Sequence, residues 1–240
     1  MGFENIAEIE AAAAGLLRWW HDAGVDTAIS ETPNDWLGTI PTIAKPGAEA
    51  EIDTATLADR RFETIDVLVE YLKTGPIPDA GPPHRRLPPA GDANSDLMIL
   101  VDFPDVADID RAHLLSDPVF DKMLKAIGRD RASVYIAPLC PGRPLTGRLP
   151  TESVGELAVL AKQHIGFVAP KQLWLMGSAS SRAILGVDDA VAKGKLHHVN
   201  HGGATIEAIA TAHPRMFDGS KARKAAAWAE MQRLILRDDA

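Results

Sequence analysis

Residues 211–216, TAHPRM, bring a histidine, a proline and an arginine together between a short apolar run and a basic helix. Imidazole changes its charge close to neutral pH, so His213 at the mouth of such a loop could act in acid–base or electrophilic catalysis. The same pattern also fits a helix-entry turn whose imidazole has no chemical role. At the level of the residues both interpretations of His213 stay open.

Two other sets of residues have side chains that could bind a metal ion or do thiol chemistry. His197, His198 and His201 have ligand side chains, but the i, i+1, i+4 spacing without a nearby acidic partner is a weak metal signal. Cys140 is the only cysteine, which excludes an intramolecular disulfide and any site that needs several thiolates. We expect no metal and no other cofactor.

Charge is distributed unevenly along a chain whose net charge is −8. Residues 1–72 hold fourteen acidic and four basic side chains, whereas residues 193–237 hold eight basic and three acidic ones. Local fields steer polyanions more than total charge does, so the C-terminal part could meet DNA and the N-terminal part a basic protein. Ordinary solvated helix faces explain the charges equally well.

From residue 96 onward, apolar runs alternate with helical patterns. The runs predict buried strands at 97–103, 133–139 and 172–177 and a short strand within 204–214. Helices are predicted at 117–128, 150–170, 181–186 and 219–236. This alternation predicts a three-layer α/β/α sandwich with a central four-stranded parallel sheet. Functional residues in such folds follow the carboxyl ends of the strands, where His213 lies.

Three segments divide the chain. Residues 1–75 are predicted to be an N-terminal helical segment packed on the core, with one helix at 6–24 and a second that is capped by Thr54 or Thr56 and ends at Gly75. The Pro-rich residues 76–92 form a linker or loop, and 93–240 form the α/β/α domain. We expect one structural domain overall, with no membrane segment or secretory signal, in the cytoplasm.

Several stretches together resemble one known family. Residues 121–153 (DKMLKAIGRDRASVYIAPLCPGRPLTGRLPTES), 168–186 (VAPKQLWLMGSASSRAILG) and 209–234 (IATAHPRMFDGSKARKAAAWAEMQRL) are similar to the uracil-DNA glycosylase superfamily. Within it they look most like the bacterial iron–sulfur branch, family 4. The resemblance implies base excision repair, in which an enzyme flips a uracil out of DNA and hydrolyses its N-glycosidic bond.

The resemblance assigns two catalytic positions. Asp102, in VDFPD (101–105), falls on the acidic position of the first family motif, where a carboxylate orients water or balances the cationic sugar. His213 falls on the histidine that stabilises negative charge developing on uracil O2. Both glycines of the first motif are replaced, by Val101 and Asp105. A strand-end aspartate that caps the following turn is the alternative for Asp102.

The base pocket implied by the resemblance is degenerate here. Pro138 stands where the family reads uracil with an asparagine, and it offers no side-chain hydrogen bond. No aromatic residue occupies the stacking position, around residues 110–115. His113 could stack weakly, and Phe103 and His113 fit packing roles equally well. The cysteines that would hold an iron–sulfur cluster are absent, so we expect no cluster.

The DNA-contacting stretches of the resemblance are kept. The candidates for DNA contact are of four kinds: the arginines of the loop RPLTGR, the turn GS after a strand, an apolar residue that could wedge into the base stack, and basic residues of the last helix. These predicted DNA-binding residues are Arg143, Arg148, Gly177, Ser178, Arg215, Met216, Lys221, Arg223 and Lys224.

Three functional hypotheses follow from this mixture of kept and lost features. The first is a divergent or catalytically impaired relative, a pseudoenzyme that retains the fold and could bind DNA. The second is an active DNA glycosylase of altered base specificity that uses Asp102 and His213. The third is a protein-interaction subunit in DNA repair, whose acidic N-terminal part would suit a basic partner.

Overall fold

A computed structural model describes Leu57, residues 59–192, 194–217 and 220–235, and four separate positions nearer the N-terminus. The chain divides into two compact units, Met1–Ile52 and Asp53–Ala240. In the first unit Ala14, Gly15, Trp19 and Asp22 are helical, and the rest of the helix predicted at 6–24 lies outside the described residues. The second unit carries the sheet and the predicted site residues.

A six-stranded sheet forms the centre of this second unit. Its strands are β1 (Ala90–Gly91), β2 (Leu97–Val101), β3 (Tyr135–Pro138), β4 (Gln172–Met176), β5 (His197–His201) and β6 (Ala204–Thr211), in the order β1-β3-β2-β4-β6-β5. The inner four strands are parallel, and β1 and β5 pair antiparallel at the edges. The predicted α/β class is therefore confirmed, although the sheet has six strands rather than four.

Helices and two 3-10 turns surround the sheet. They are α1 (Ile65–Thr74), α2 (Val106–Arg111), α3 (Pro118–Ala126), α4 (Thr151–Val168), α5 (Ser178–Leu185), α6 (Asp189–Ala192) and α7 (Lys221–Ile235), with 3-10 turns at Pro83–Arg85 and Pro214–Phe217. Helix α1 is capped by Thr64, whose hydroxyl accepts from the Val67 N–H at 3.4 Å. The predicted start at Thr54 or Thr56 is wrong, because residues 59–64 are not helical and Leu57 is buried in the core.

The side chains of the parallel strands alternate between two cores. All five residues of β2 are buried because helices cover both faces of the sheet. Met98 and Leu100 pack in one core with α1, α4 and α5, whereas Leu97, Ile99 and Val101 pack in the other with α3 and Met231 of α7. The chain therefore leaves β2 toward one helical layer and leaves β4 toward the other. The crevice between the ends of β2 and β4 is the switch point at which such folds bind ligands.

The Pro-rich residues 76–92 pack along the edge of this sheet. The guanidinium of Arg86 donates to the carbonyl of Gly75 at 2.6 Å and to that of Gly81 at 2.8 and 3.1 Å. The Leu87 N–H donates to the Pro141 carbonyl at 2.8 Å, and Ala90–Gly91 then pairs with β3. Hydrogen bonds rather than regular structure therefore hold most of this segment.

The histidines of residues 195–203 belong to an edge strand. β5 contains His197, His198 and His201, and its side chains alternate between half-buried and exposed. The Nε2 atom of His197 lies 2.8 Å from the carbonyl oxygen of Ala192. Among the residues that the structure describes, no group of three His, Cys, Asp or Glu side chains could hold a metal ion.

Candidate functional site

Asp102 follows β2 and reaches across the switch point to α5. Its side chain is buried, and its Oδ1 accepts a hydrogen bond from the Ser180 N–H at 2.7 Å. Burial raises the pKa of Asp102, while the N–H groups of Ser180 and Ala179 and the charge of Arg215 oppose this rise. The carboxylate is therefore bound to the first turn of a helix, where backbone N–H groups favour negative charge.

Gly177 makes this position of Asp102 possible. It precedes α5 with φ +121°, a conformation that favours glycine, and a Cβ at residue 177 would lie 2.3 Å from Oδ2 of Asp102. The turn after β4 and the carboxylate after β2 consequently fit together only without a side chain at residue 177.

His213 lies at the end of β6, where the Pro214–Phe217 turn begins, and only 4 % of it is exposed. Its Nδ1 accepts a hydrogen bond from the Arg215 N–H at 3.2 Å. Burial, helped by the nearby positive charge of Arg215, lowers the pKa of His213 to about 3. The ring is therefore neutral near pH 7 and carries its hydrogen on Nε2, which is buried and has no hydrogen-bond partner among the described residues.

One cavity contains both predicted catalytic residues. It has a volume of about 320 Å³ and lies between the ends of β4 and β6 and helix α7. Asp102 and His213 line it, and the remaining lining includes Gly177, Thr211, Met216, Arg223, Ala227 and Glu230. A buried neutral imidazole with a free N–H and a buried carboxylate, each with a shifted pKa and both lining one cavity, are the kind of perturbed groups that mark functional sites.

The three residues predicted for the base pocket do not line a common cavity among those described. Pro138 is buried and pairs with Val101 across the sheet, and it lines none of the four cavities described for this structure. His113 is exposed and also lines none of them. Phe103 is buried, with the guanidinium carbons of Arg215 and Arg143 4.8 and 5.5 Å from its ring centroid. The ring of Phe103 thus faces two arginines, whereas Phe217 lines the cavity that contains Asp102 and His213.

Most of the residues predicted to contact DNA surround a second cavity, of about 550 Å³. We call this space, lined by four arginines, the arginine cavity; its lining includes Arg143, Arg148, Ser178, Arg182, Arg215 and Met216, together with Asp102 and Phe103. Arg148, Ser178 and Met216 are exposed. Arg182, which forms an ion pair with Asp188, has no signal in the sequence that would mark it.

Helix α7 carries the remaining predicted contacts. Lys221, Arg223 and Lys224 are exposed. The Nη1 of Arg223 donates to the carbonyl of Met216 at 2.8 Å, so this arginine also supports the turn that carries Met216. Gly177, also predicted to contact DNA, is buried beneath Asp102.

Asp105 was not among the predicted site residues, yet it links two of them. Its Oδ1 accepts from Nη1 of Arg143 at 3.0 Å, and its Oδ2 lies 3.9 Å from Nη1 of Arg215. The same carboxylate caps α2 by accepting from the Val106 N–H, and the Asp108 carboxylate accepts from the Asp105 N–H. The spacing D-x-x-D before a helix is a capping-box signal that could have found it.

The position that the resemblance aligns with a cluster cysteine, Gly142, packs against backbone. Gly142 stands where the resemblance puts the third cluster cysteine, and a Cβ there would lie 1.7 Å from the carbonyl oxygen of Ala80. Cys140 is buried near the Pro78 carbonyl, and burial raises the pKa of its thiol to about 12. The residues present therefore do not fit a cluster.

Comparison with known families agrees with this architecture. Residues 88–232, well over half of the chain, match the model of the uracil DNA glycosylase superfamily. No individually curated protein shows significant similarity to the chain. Within the described part of the chain, every helix is too short or too polar to cross a membrane.

Proposed function

Because the chain belongs to the uracil-DNA glycosylase superfamily, we propose that it is a DNA-binding member of that superfamily that does not excise uracil. The observation that carries this proposal is the engagement of Asp102 with α5. Its Oδ1 is bonded to the Ser180 N–H, and its Oδ2 lies against Gly177. A carboxylate held in this way stabilises the turn after β4 and is poorly placed to orient an attacking water.

Pro138 supports the same proposal. A site that reads uracil needs donors and acceptors facing the base edge, and losing a bidentate contact costs about 1–3 kcal/mol of discrimination. Pro138 has neither a side-chain polar group nor an N–H, and it is buried in the sheet. Phe103, the aromatic residue expected in the base pocket, is covered by two arginines instead of being open to a base.

The charges around the site support DNA as the ligand. Four arginines line one cavity, and Lys221 and Lys224 extend the basic surface along α7. The exposed Met216 lies between these groups and is 47 % exposed, as an apolar wedge would be. Basic side chains around an apolar tip suit a phosphate backbone with an opened base stack.

An active glycosylase of altered base specificity is the second candidate, and His213 favours it. A buried N–H without a partner is costly, at about 1–3 kcal/mol, unless a ligand accepts it. The Nε2–H of His213 is in that position, in a cavity it shares with Asp102. A neutral imidazole donor is suited to stabilising an anionic leaving base.

Incubation with 5′-labelled oligonucleotides separates these candidates. Single-stranded and double-stranded probes carry one uracil, and heating in alkali reveals abasic sites; a probe with a synthetic abasic site controls for detection. We expect binding that weakens with salt and no cleavage above that of His213→Ala. Cleavage that disappears in His213→Ala and in Asp102→Asn would overturn the inactive proposal in favour of the second candidate. Absence of DNA binding even at low salt would point to a protein partner instead.

A further inference from the structure

Two guanidinium groups lie over the ring of Phe103. Arg215 and Arg143 both lie within 5.5 Å of its centroid. An aromatic face attracts a guanidinium and fixes its plane, which leaves the N–H edges available for an anion. Phe103 is itself buried, so it forms a fixed platform under both arginines.

Asp105 accepts a hydrogen bond from only one of these two arginines. Its Oδ1 is within hydrogen-bond distance of Arg143, but the 3.9 Å between Oδ2 and Nη1 of Arg215 is too long for a hydrogen bond. That Nη1 atom is buried and has no hydrogen-bond partner in the described part of the chain. Buried donors in native proteins are nearly always paired, so an unpaired one beside a cavity indicates a missing acceptor.

The arginine cavity gives that acceptor a place. Arg143 and Arg215 line it together with Arg148, Arg182 and the exposed Ser178 at the start of α5. Arg182 is paired with Asp188 and Asp102 is bonded to Ser180, so both of those carboxylates are already engaged. A group with several acceptor oxygens and one negative charge matches the unpartnered Nη1 of Arg215 and the positive charge of the neighbouring arginines.

We propose that the arginine cavity binds a backbone phosphate of DNA and that Asp105 is an internal competitor for it. In the free protein the Asp105 carboxylate holds Arg143 and neutralises part of the charge of Arg215. A phosphodiester then takes over both guanidinium groups as DNA binds. This inference rests on the DNA binding proposed above and adds a site for one phosphate and a residue that limits its affinity.

Asp105→Asn isolates the charge of Asp105 from its role in folding. Asparagine caps a helix about as well as aspartate, so the bond to the Val106 N–H is retained while the competing charge is removed. Asp105→Ser, a second residue that caps well and is neutral, repeats the test if Asp105→Asn folds poorly. Asp96→Asn is the matched control, because Asp96 pairs with Lys171 at the opposite end of the sheet.

The measurement is fluorescence anisotropy with a labelled 20-nucleotide duplex without uracil, at several salt concentrations. We expect Asp105→Asn to bind about three- to tenfold more tightly than the wild type, with a log–log salt dependence that is steeper by roughly 0.9 for each additional phosphate that the variant neutralises. Asp96→Asn should stay within about twofold of the wild type, since its charge is remote from the cavity. Adding Arg215→Gln to Asp105→Asn should remove most of the increase in affinity.

The possible failures are distinguishable. If the wild type binds DNA but Asp105→Asn behaves like Asp96→Asn, the competitor role is wrong and the proposed function stands. An increase in affinity that survives the addition of both Arg215→Gln and Arg143→Gln would also overturn the site. If neither the wild type nor Asp105→Asn binds DNA at low salt, the proposed DNA binding fails and this inference fails with it.

Discussion

The carboxylate of Asp102 lies so close to Gly177 that a Cβ at residue 177 would come within 2.3 Å of Oδ2, and one of the two groups would have to shift. The two residues follow β2 and β4, on either side of the switch point of the sheet. This packing joins the two helical layers at the site, and it leads to a first prediction about stability.

Gly177→Ala should destabilise the protein by more than about 2 kcal/mol, because the new methyl group meets a buried carboxylate and the backbone has φ +121°. Urea unfolding measures the change. Gly186→Ala is the matched control, since Gly186 also has a positive φ but nothing lies within 4 Å of its added Cβ. A decrease in the free energy of unfolding no larger than that of Gly186→Ala would contradict this prediction, because it would show that the Asp102 side chain moves aside at little cost.

Asp102→Asn should change the pH dependence of stability. Because burial raises the pKa of Asp102 above its ordinary value of 3.8, the folded state resists ionisation and wild-type stability is reduced as pH rises through and above that value. The asparagine variant lacks this penalty, so the free energy of unfolding of the variant minus that of the wild type should increase from pH 3 to pH 7. Urea titrations at three pH values test this. A difference that is constant with pH would contradict it.

His213 should remain neutral down to about pH 4. Its pKa of about 3 lies below the unfolded value of 6.5, so the unfolded chain binds a proton first and stability is lost as pH falls from 6.5 toward 3. NMR of the imidazole nitrogens should show an Nε2–H tautomer, with the signal assigned by its loss in His213→Gln. Titration of that signal between pH 6 and 7 would show that the imidazole is open to solvent.

Lys221→Glu combined with Lys224→Glu should weaken DNA binding about tenfold or more at 100 mM salt and lower the slope of the salt dependence, because two phosphate contacts become repulsive. Gel retardation at several salt concentrations gives both quantities. The matched control reverses two other exposed lysines, Lys162 on α4 and Lys171 at the amino end of β4. Equal weakening by both pairs would indicate an effect of net charge alone.

The sequence alone could predict what depends on local pattern. The apolar runs of β2 and β4 are buried on both faces, so they stand out in the sequence, and the α/β class follows from their alternation with helices. β5 was missed as a strand because its side chains are histidines, valine and asparagine at a half-exposed edge. The start of α1 was misplaced because Thr54 and Thr56 offer the same capping chemistry as Thr64.

The contacts of the site that join residues far apart in the chain could not be predicted from the sequence. The sequence suggested that Asp102 acts in catalysis or caps the turn that follows it, but it gave no sign of the bond to Ser180, which is 78 positions away in the chain. Only the adjacency of β2 and β4 brings these residues together, and no local pattern encodes that adjacency. The ion pairs of Asp105 with Arg143 and Arg215 depend on tertiary packing in the same way.

Arg86 makes the Pro-rich segment independent of redox chemistry. The guanidinium of Arg86 donates to the carbonyls of Gly75 and Gly81, and these hydrogen bonds do not depend on an oxidation state. A loop fastened by thiolates and iron would open on oxidation or chelation. The bonds of Arg86 should therefore hold in air, in reductant and in chelator alike.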